Sequence, residues 1–193
     1  MTVASVPIRT SVLTRRDIVA RGIVTILSDH PQRISVVPMP SLTDSRIAAD
    51  VLVYDLALVH HLGQDHLATL VRAAGHRVVG LAPAAASPLR GLADALGVAG
   101  CVTLDVSSNE LVGAVRRVAA GEVLASTGTK TALSRREAQV MLLVCQGLTN
   151  QEVSERLFLS MNTVKSHLRS AYRKMGVTSR LQAMLWCAEH DLV

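Results

Sequence analysis

Short apolar segments alternate with helical segments five times in the first 121 residues of this 193-residue chain. We predict five strands, at residues 8–14, 33–37, 50–56, 76–81 and 100–104. The third and fourth strands are apolar almost throughout, which is typical of strands buried on both faces of a parallel sheet. Because strands that alternate with helices build such sheets, we predict a doubly wound α/β domain with helices on both faces.

Helical spacing and capping residues place the helices of this domain. They are predicted at residues 17–28, 64–74, 89–96 and 107–120. Ser107 and Glu110 have the spacing of a capping box, and Gly121 ends the last of these helices. Residues 41–48 are predicted to form a loop or a short helix.

The pattern changes after residues 122–131, which are small, polar and without period and are therefore predicted to be a linker. No strand follows. Capping boxes at Ser134 and Thr149 and an N-cap at Ser160 open successive helices, with a tight turn before the third. Four short helices arranged in this way predict an all-α helix-turn-helix domain. The predicted first domain, linker and second domain cover residues 1–121, 122–131 and 132–193.

The third helix of the second domain, residues 160–175, has two unlike faces. An apolar stripe at helical spacing consists of Val164, Leu168, Ala171, Tyr172 and Met175. The opposite face carries Asn162, Lys165, Ser166, Arg169 and Arg173. No Asp or Glu occurs between Glu155 and Glu189. A helix with one buried face and one unopposed positive face is typical of nucleic-acid binding; the alternative is a solvated surface helix with a chance excess of cations.

Composition narrows the possible functions. Aromatic residues make up 2% of the chain, so recognition of single strands by base stacking is poorly supported. The net charge of +5 permits a polyanionic partner. Cys101, Cys145 and Cys187 are far apart in sequence and are predicted to be reduced core thiols of a cytoplasmic protein. No apolar run approaches a membrane span, and the N-terminus lacks the pattern of a secretory signal.

The distribution of reactive side chains does not predict an enzyme, a cofactor or a metal site. Ser, His and Asp residues are scattered, without a nucleophile elbow or a Gly-rich phosphate loop. His60 and His61 follow the third strand without a partner at metal-ligand spacing, so we assign them to a surface loop.

Several segments of the second domain form a recognisable set. They are LSRREAQV at 133–140, GLTNQEV at 147–153, SMNTVKSHL at 160–168 and KMGV at 174–177, followed by Ser179 and Arg180. Over residues 133–187 this set resembles the LuxR-type helix-turn-helix without a gap. The resemblance implies that the third helix lies in the major groove of double-stranded DNA.

The first domain resembles, more distantly, the receiver domain of NarL/FixJ-type response regulators. The supporting segments are DVLVYDL at 50–56, GVAGCV at 97–102 and ELVGAVRRVAAGE at 110–122. The resemblance implies a flavodoxin-like fold. It also implies a phospho-acceptor at the end of the third strand, and Asp55 occupies that position.

Phosphorylation of a receiver requires Mg²⁺, which the phospho-acceptor holds together with an acidic pair after the first strand. Arg15 and Arg16 occupy the position of that pair, and a slip of one residue restores a single acid, Asp17. Guanidinium groups cannot ligate Mg²⁺. The metal site that the family uses is therefore predicted to be incomplete in this chain.

Two further positions depart from the family pattern. Ala82 replaces the Ser or Thr that binds the phosphoryl group, and Leu104 replaces the Lys after the fifth strand. We therefore predict an atypical receiver in which Asp55 is a structural residue paired with Arg15 or Arg16. A conventional phospho-acceptor at Asp55 and a small anionic ligand bound by the two arginines remain as alternatives.

The resemblance implies three groups of DNA contacts. The residues facing base edges are Lys165, Ser166 and Arg169. Those near phosphate at the start of the helix are Ser160, Asn162 and Thr163. The contacts with the DNA backbone are Arg173, Lys174 and Arg180. Asn150, with Thr149 and Gln151, is expected to reach the other side of the groove.

The last helix is implied to form a two-fold dimer contact through Leu181, Met184, Leu185 and Ala188, although these residues could instead close the four-helix core.

The sequence leads to one main hypothesis about function, a homodimeric, sequence-specific transcription regulator that does not use phosphorylation. One alternative is a conventional phospho-activated response regulator of a two-component system. Another is a regulator controlled by a ligand or protein bound to the first domain.

Overall fold

The first half of the chain forms a five-stranded parallel sheet with the order β2-β1-β3-β4-β5. The computed structural model describes residues 6–38, 41, 47–83, 88–124 and 133–189. The strands are β1 (Ile8–Leu13), β2 (Ile34–Val36), β3 (Val51–Asp55), β4 (Val78–Ala82) and β5 (Gly100–Thr103). This strand order is that of the flavodoxin-like doubly wound sheets, which confirms the predicted fold class.

Helices cover both faces of the sheet, and helices joined by turns form the second domain. Those of the first domain are α1 (Asp17–Ser28), α2 (Val59–Leu62), α3 (Gln64–Ala73), α4 (Pro88–Ala95) and α5 (Ser108–Ala119). Those of the second domain are α6 (Arg135–Cys145), α7 (Asn150–Leu157), α8 (Met161–Met175) and α9 (Arg180–Glu189). The predicted loop or short helix at 41–48 and the predicted linker at 122–131 lie mostly outside the described residues.

Local hydrogen bonds explain why the helix starts were predictable. Both halves of a capping box form at Ser107, Ser134 and Thr149, where the hydroxyl and a Glu three residues later bond each other's backbone N–H. Phe158 follows α7 with a φ of 52°, which makes the tight turn before α8. Gly176 ends α8 with a φ of 72°, a value that favours glycine.

The segment after β3 differs from its prediction. Residues 56–62 were predicted to end the strand and enter a loop, but Leu56–Leu58 forms a 3-10 helix that continues into α2. His60 and His61 therefore lie in a helix. The reason is local: the carboxylate of Asp55 accepts a hydrogen bond from the backbone N–H of Ala57 at 3.1 Å and so turns the chain.

Two apolar clusters stabilise the sheet. Side chains from α1 and α5 cover one face, with Leu27 and Val115 fully buried against Val53 and Val79. Side chains from α3 and α4 cover the other face, and this second cluster continues into α6, α7, α8 and α9. The two domains therefore share one apolar core.

The contact between the domains centres on α4 and α6, which pack against each other. The amide Nε2 of Gln139, a residue of α6 with only 6% of its surface exposed, donates a hydrogen bond to Gln64 Oε1 at 2.6 Å. Gly91 of α4 lies against the backbone of Leu133, where a Cβ atom would overlap the carbonyl oxygen. Close backbone approach at Gly91 thus sets the spacing of the two domains.

Alanine at Gly91 is expected to lower the free energy of unfolding, whereas alanine at Gly113 is expected to raise it by up to about 1 kcal/mol. Both glycines lie inside helices, where alanine is intrinsically favoured. A Cβ at Gly113 meets no atom within 4 Å, while one at Gly91 overlaps Leu133. Urea denaturation measures the difference. Equal stabilisation by both substitutions would show that the Gly91 contact is not tight.

The cysteines depart from the expectation of three reduced thiols. Cys145 of α6 and Cys187 of α9 form a disulfide between Cα atoms 6.5 Å apart, and only Cys101 is free. The two cysteines are 42 residues apart in sequence, so the sequence alone did not predict that they would be in contact. Burial raises the pKa of the Cys101 thiol to about 12.

In the part of the chain that the structure describes, no helix has the length and apolar content that crossing a bilayer would require.

Candidate nucleic-acid interface

Helix α8 has the two faces that its sequence predicted. Val164, Leu168 and Ala171 are buried, and Tyr172 and Met175 are partly buried against the shared apolar core. The cationic and polar side chains Lys165, Ser166, Arg169 and Arg173 are exposed on the other side. Within the described residues, none of these three cations forms an ion pair. Their charge is therefore free to act on a ligand in solution.

No acidic side chain compensates the positive end of the helix dipole at the start of α8. The hydroxyl of Ser160 accepts a hydrogen bond from the backbone N–H of Thr163 at 3.1 Å, and the two hydroxyls are 2.8 Å apart. Asn162 is exposed, and no acid lies in the first turn. Because no carboxylate neutralises the helix dipole there, this end favours an anion such as phosphate.

An open groove of about 820 Å³ lies between the start of α7 and the exposed side of α8. It brings together predicted DNA contacts from two elements: Thr149, Asn150 and Gln151 from the start of α7, and Lys165 and Arg169 from α8. Residues that are 14 or more positions apart in sequence thus line one surface. This surface offers amide donors and acceptors beside two cations.

Lys174 and Arg180 have partners inside the domain. The ammonium group of Lys174 is 2.6 Å from a carboxylate oxygen of the buried Glu137. The guanidinium of Arg180 donates to the backbone carbonyl oxygens of Leu148 and Val144. In this structure their charged groups stabilise the packing of α6 with α8 and α9, and the contacts of both residues with the DNA backbone stay predictions.

Glu137 combines a capping role with this ion pair. Burial raises its pKa, but hydrogen bonds from Lys174, Ser170 and Ser134 outweigh burial and lower the pKa to about 2. Sequence reasoning identified Glu137 only as the third residue of a capping box. Nothing in the sequence pairs Glu137 with Lys174, because they lie 37 residues apart.

The second domain is expected to lose stability as the pH falls from about 4.5, the ordinary pKa of Glu, toward about 2, the folded-state value. A carboxylate with a lowered folded pKa stabilises the fold above its unfolded pKa, and protonation removes that contribution. Urea denaturation of the chain and of Glu137→Gln at pH 6 and pH 3 measures the effect. The gap between the two proteins should narrow at the lower pH, and a constant gap would contradict the role of the carboxylate.

The strand-end carboxylate of Asp55 is 2% exposed and fully hydrogen-bonded. Arg16 binds it with two nitrogens, Nε to Oδ2 and Nη2 to Oδ1, both at 3.0 Å. The hydroxyl of Thr14 donates to Oδ2 at 2.6 Å, and the backbone N–H of Ala57 donates to Oδ1 at 3.1 Å. The predicted ion pair is present, and Arg16 rather than Arg15 forms it.

The structure also places the other positions that the resemblance assigned to a phosphorylation site. Arg15 and Asp17 are exposed, Asp17 lies in the first turn of α1, and Ala82 is fully buried at the end of β4. Leu104, after β5, is 40% exposed. Among the described residues, no group of three or more His, Cys, Asp or Glu is arranged to hold a metal ion.

Helix α9 exposes part of its apolar surface. Leu181 is 67% exposed and Leu185 is 55% exposed, while Met184 is half-buried. Ala183 and Cys187 face the core. The side chain of Ala188, the fourth predicted dimer residue, lies outside the described residues. Leu181 and Leu185 therefore contribute little to the core of the second domain, and their exposed side chains are accessible to a partner.

Comparisons with known proteins found a matching family model for the second domain and similar bacterial regulators. Residues 131–187 match the family model described as bacterial regulatory proteins, luxR family. A nitrate/nitrite response regulator protein homolog from Haemophilus influenzae is 33% identical over 158 residues, which cover 74% of this chain and 75% of that protein. The transcriptional regulatory protein LiaR from Bacillus subtilis is 36% identical over 61 residues, which cover 32% of this chain and 29% of LiaR.

One solved structure aligns with almost the whole chain. It is RcsB from Salmonella enterica serovar Typhimurium, bound to promoter rprA in the presence of the phosphomimetic BeF3-. The TM-score is 0.62 at 18% sequence identity, and the alignment covers 95% of this chain and 99% of RcsB. At this identity the similarity establishes a shared fold.

Proposed function

The chain belongs to the response regulators that carry a LuxR-type helix-turn-helix domain, and we propose that it is a sequence-specific, DNA-binding transcription regulator that works without phosphorylation of Asp55. One observation carries the DNA-binding part of the proposal. The outer face of α8 combines Lys165, Ser166 and Arg169, all exposed and without an opposing acid on the helix.

Each part of this surface has a role in the proposed complex. Lys165 and Arg169 donate to guanine O6 and N7 in the major groove, and Ser166 adds a smaller donor or acceptor. Asn150 approaches from the start of α7, across the groove that both helices line. Arg173 and the start of α8, with Ser160, Asn162 and Thr163, bind phosphate and set the position of the helix.

The geometry around Asp55 supports independence from phosphorylation. Phosphoryl transfer requires a carboxylate oxygen that is free to attack and a nearby Mg²⁺ that neutralises the incoming phosphate. Both oxygens of Asp55 accept hydrogen bonds, and the guanidinium of Arg16 binds to each of them. The same arginine would also have to leave a buried carboxylate before any transfer.

A conventional phospho-activated regulator is the second candidate, because Asp55 keeps the strand-end position at the carboxyl edge of a parallel sheet. That position is where ligands of doubly wound folds bind. Control by a ligand or protein bound to the first domain is compatible with the same DNA-binding surface.

A homodimer on DNA follows from the exposed side of α9. Leu181 and Leu185 lie one helical turn apart and are both more than half exposed. Two copies related by a two-fold axis would bury these leucines against each other and place two α8 helices on neighbouring half-sites. The preferred DNA sequence is then expected to be pseudo-palindromic.

Selection of bound fragments from a random DNA pool tests the proposal. The expected result is a pseudo-palindromic consensus, bound as two chains per site and at least about a thousandfold more tightly than unrelated DNA at physiological salt. A Leu181→Glu, Leu185→Glu variant should bind one half-site weakly and lose the two-to-one stoichiometry. Failure to enrich any sequence would overturn the assignment.

A further inference from the structure

We infer that the chain binds DNA with its two domains docked, so that the interface between α4 and α6 is a permanent joint and not a cover over the DNA-binding face. The inference builds on the proposed DNA binding and goes beyond it. It assigns the α4–α6 contact, together with Gln64 and Leu133, as an interaction surface within the chain that stays closed during function.

The interface has the character of a protein interior. Leu89, Leu92 and Ala93 of α4 and Ala138 and Met141 of α6 each have 1% or less of their surface exposed. All of them belong to the same apolar cluster. Opening such a contact exposes this apolar surface to water, which is unfavourable in proportion to its area. A small chemical signal would therefore not separate the domains easily.

Two polar or backbone details give the contact a defined register. The Gln64–Gln139 hydrogen bond joins α3 to α6; Gln139 is buried and Gln64 is partly buried. The backbone of Leu133 fits against Gly91, the position in α4 where a side chain would collide with it. The close backbone fit at Gly91, combined with a part-buried amide pair, favours one docked arrangement over many.

The docked arrangement leaves both functional faces of the second domain free. Lys165, Ser166, Arg169 and Arg173 are exposed although the first domain is in place. The groove between α7 and α8 is lined by second-domain residues alone. Leu181 and Leu185 on α9 are exposed as well. The side chains that we propose for DNA and for a second copy are therefore not covered by the first domain.

The Asp55 cluster is also separate from this joint. The described hydrogen bonds of the Asp55 carboxylate go to Thr14, Arg16 and Ala57, all in the first domain. None of them reaches α4 or α6. Docking and the strand-end ion pair can therefore both persist while the chain is bound to DNA.

A chemical crosslink across the joint tests the inference. Asp65→Cys, Gln146→Cys, which changes one exposed residue of each domain in the groove between them, is treated with a short bis-maleimide, and affinity for the selected DNA site is measured by fluorescence polarisation before and after. Cys101 is buried and Cys145 and Cys187 are joined to each other, which limits side reactions, and the two single-cysteine variants serve as controls. The crosslink should form readily, and the crosslinked protein should keep its affinity within about threefold.

Two results would overturn the inference. One is failure of the double variant to crosslink although each single-cysteine variant reacts with a maleimide, since the two sides of the joint would then lie apart in solution. The other is a loss of more than about tenfold in affinity on crosslinking, since DNA binding would then require separation. If neither the untreated nor the crosslinked protein prefers the selected site, the proposed function itself fails.

A bulky residue at the joint provides an independent measurement. Gly91→Val should loosen the domains, seen as faster proteolysis between them, yet leave the affinity for the selected site within about threefold of the parent chain. If Gly91→Val instead bound the selected site about tenfold or more tightly than the parent chain, docking would mask the DNA-binding face, and the inference would be overturned. The matched control is Gly113→Val in α5, where an added Cβ atom meets no atom within 4 Å.

Discussion

Alanine at both Lys165 and Arg169 is expected to abolish the preference for the cognate site, with affinity for that site falling by about a hundredfold or more. Each bidentate contact with a guanine contributes about 1–3 kcal/mol of discrimination, so two such losses amount to about 2–6 kcal/mol, a range that starts at about thirtyfold and extends beyond ten-thousandfold. Both side chains point away from the core, so the variant should fold normally. Fluorescence polarisation with the cognate and a scrambled duplex measures the preference directly.

A matched control separates base recognition from loss of charge. Arg21→Ala, Arg116→Ala removes the same two positive charges from exposed helix positions of the first domain and should leave the preference intact. Arg173→Ala should weaken cognate and scrambled DNA alike and lower the slope of log affinity against log salt by about 1. If the Lys165, Arg169 variant keeps parental affinity and preference, α8 is not the reading helix.

Removing the guanidinium of Arg16 is expected to cost about 3–5 kcal/mol of unfolding free energy, the typical penalty for leaving one partner of a buried ion pair alone. In Arg16→Met the carboxylate of Asp55 stays buried and loses two charged hydrogen bonds. The double variant Arg16→Met, Asp55→Leu should recover most of the loss, because an apolar pair of similar volume needs no charge compensation.

A surface ion pair of the same type provides the comparison. Arg9 and Asp50 are also joined by two side-chain hydrogen bonds, but their side chains are 56% and 37% exposed. Arg9→Met should therefore have a much smaller effect than Arg16→Met in urea denaturation. Equal effects of the two substitutions would show that Arg16 and Asp55 do not form a buried structural pair.

Local sequence signals explain most of what could be predicted. Ser107, Ser134, Thr149 and Ser160 each open a helix through hydrogen bonds to residues within three positions, so sequence alone reveals them. Strands β3 and β4 are apolar because they are buried on both faces, which also shows locally. The exposed face of α8 follows from helical period and needs no tertiary information.

The features that sequence reasoning missed depend on contacts between distant residues. The Lys174–Glu137 pair and the Cys145–Cys187 disulfide each join elements that only the packing of α6 with α8 and α9 brings together. No alternating pattern or motif encodes such proximity, and the resemblance implied only a DNA contact for Lys174. The joint at Gly91 was missed for the same reason, since a glycine inside a helix gives no sign of the backbone that lies against it.

The side chain that neutralises Asp55 was predicted only as a choice between two arginines. Arg15 and Arg16 are adjacent, and which of them turns inward depends on the geometry between β1 and α1. In the structure Arg16 directly precedes α1, and its backbone N–H donates to the Thr14 hydroxyl at 3.1 Å. That contact links Arg16 to the same hydroxyl that donates to Asp55.

Treatment with a small-molecule phosphodonor and Mg²⁺ tests most directly whether the regulator works without phosphorylation. Intact mass and affinity for the selected DNA site are measured before and after treatment, with a conventional receiver protein as a positive control for the donor. We expect no phosphoryl adduct on Asp55 and the same affinity in both samples. A phosphoryl adduct on Asp55 together with a changed DNA affinity would contradict the account.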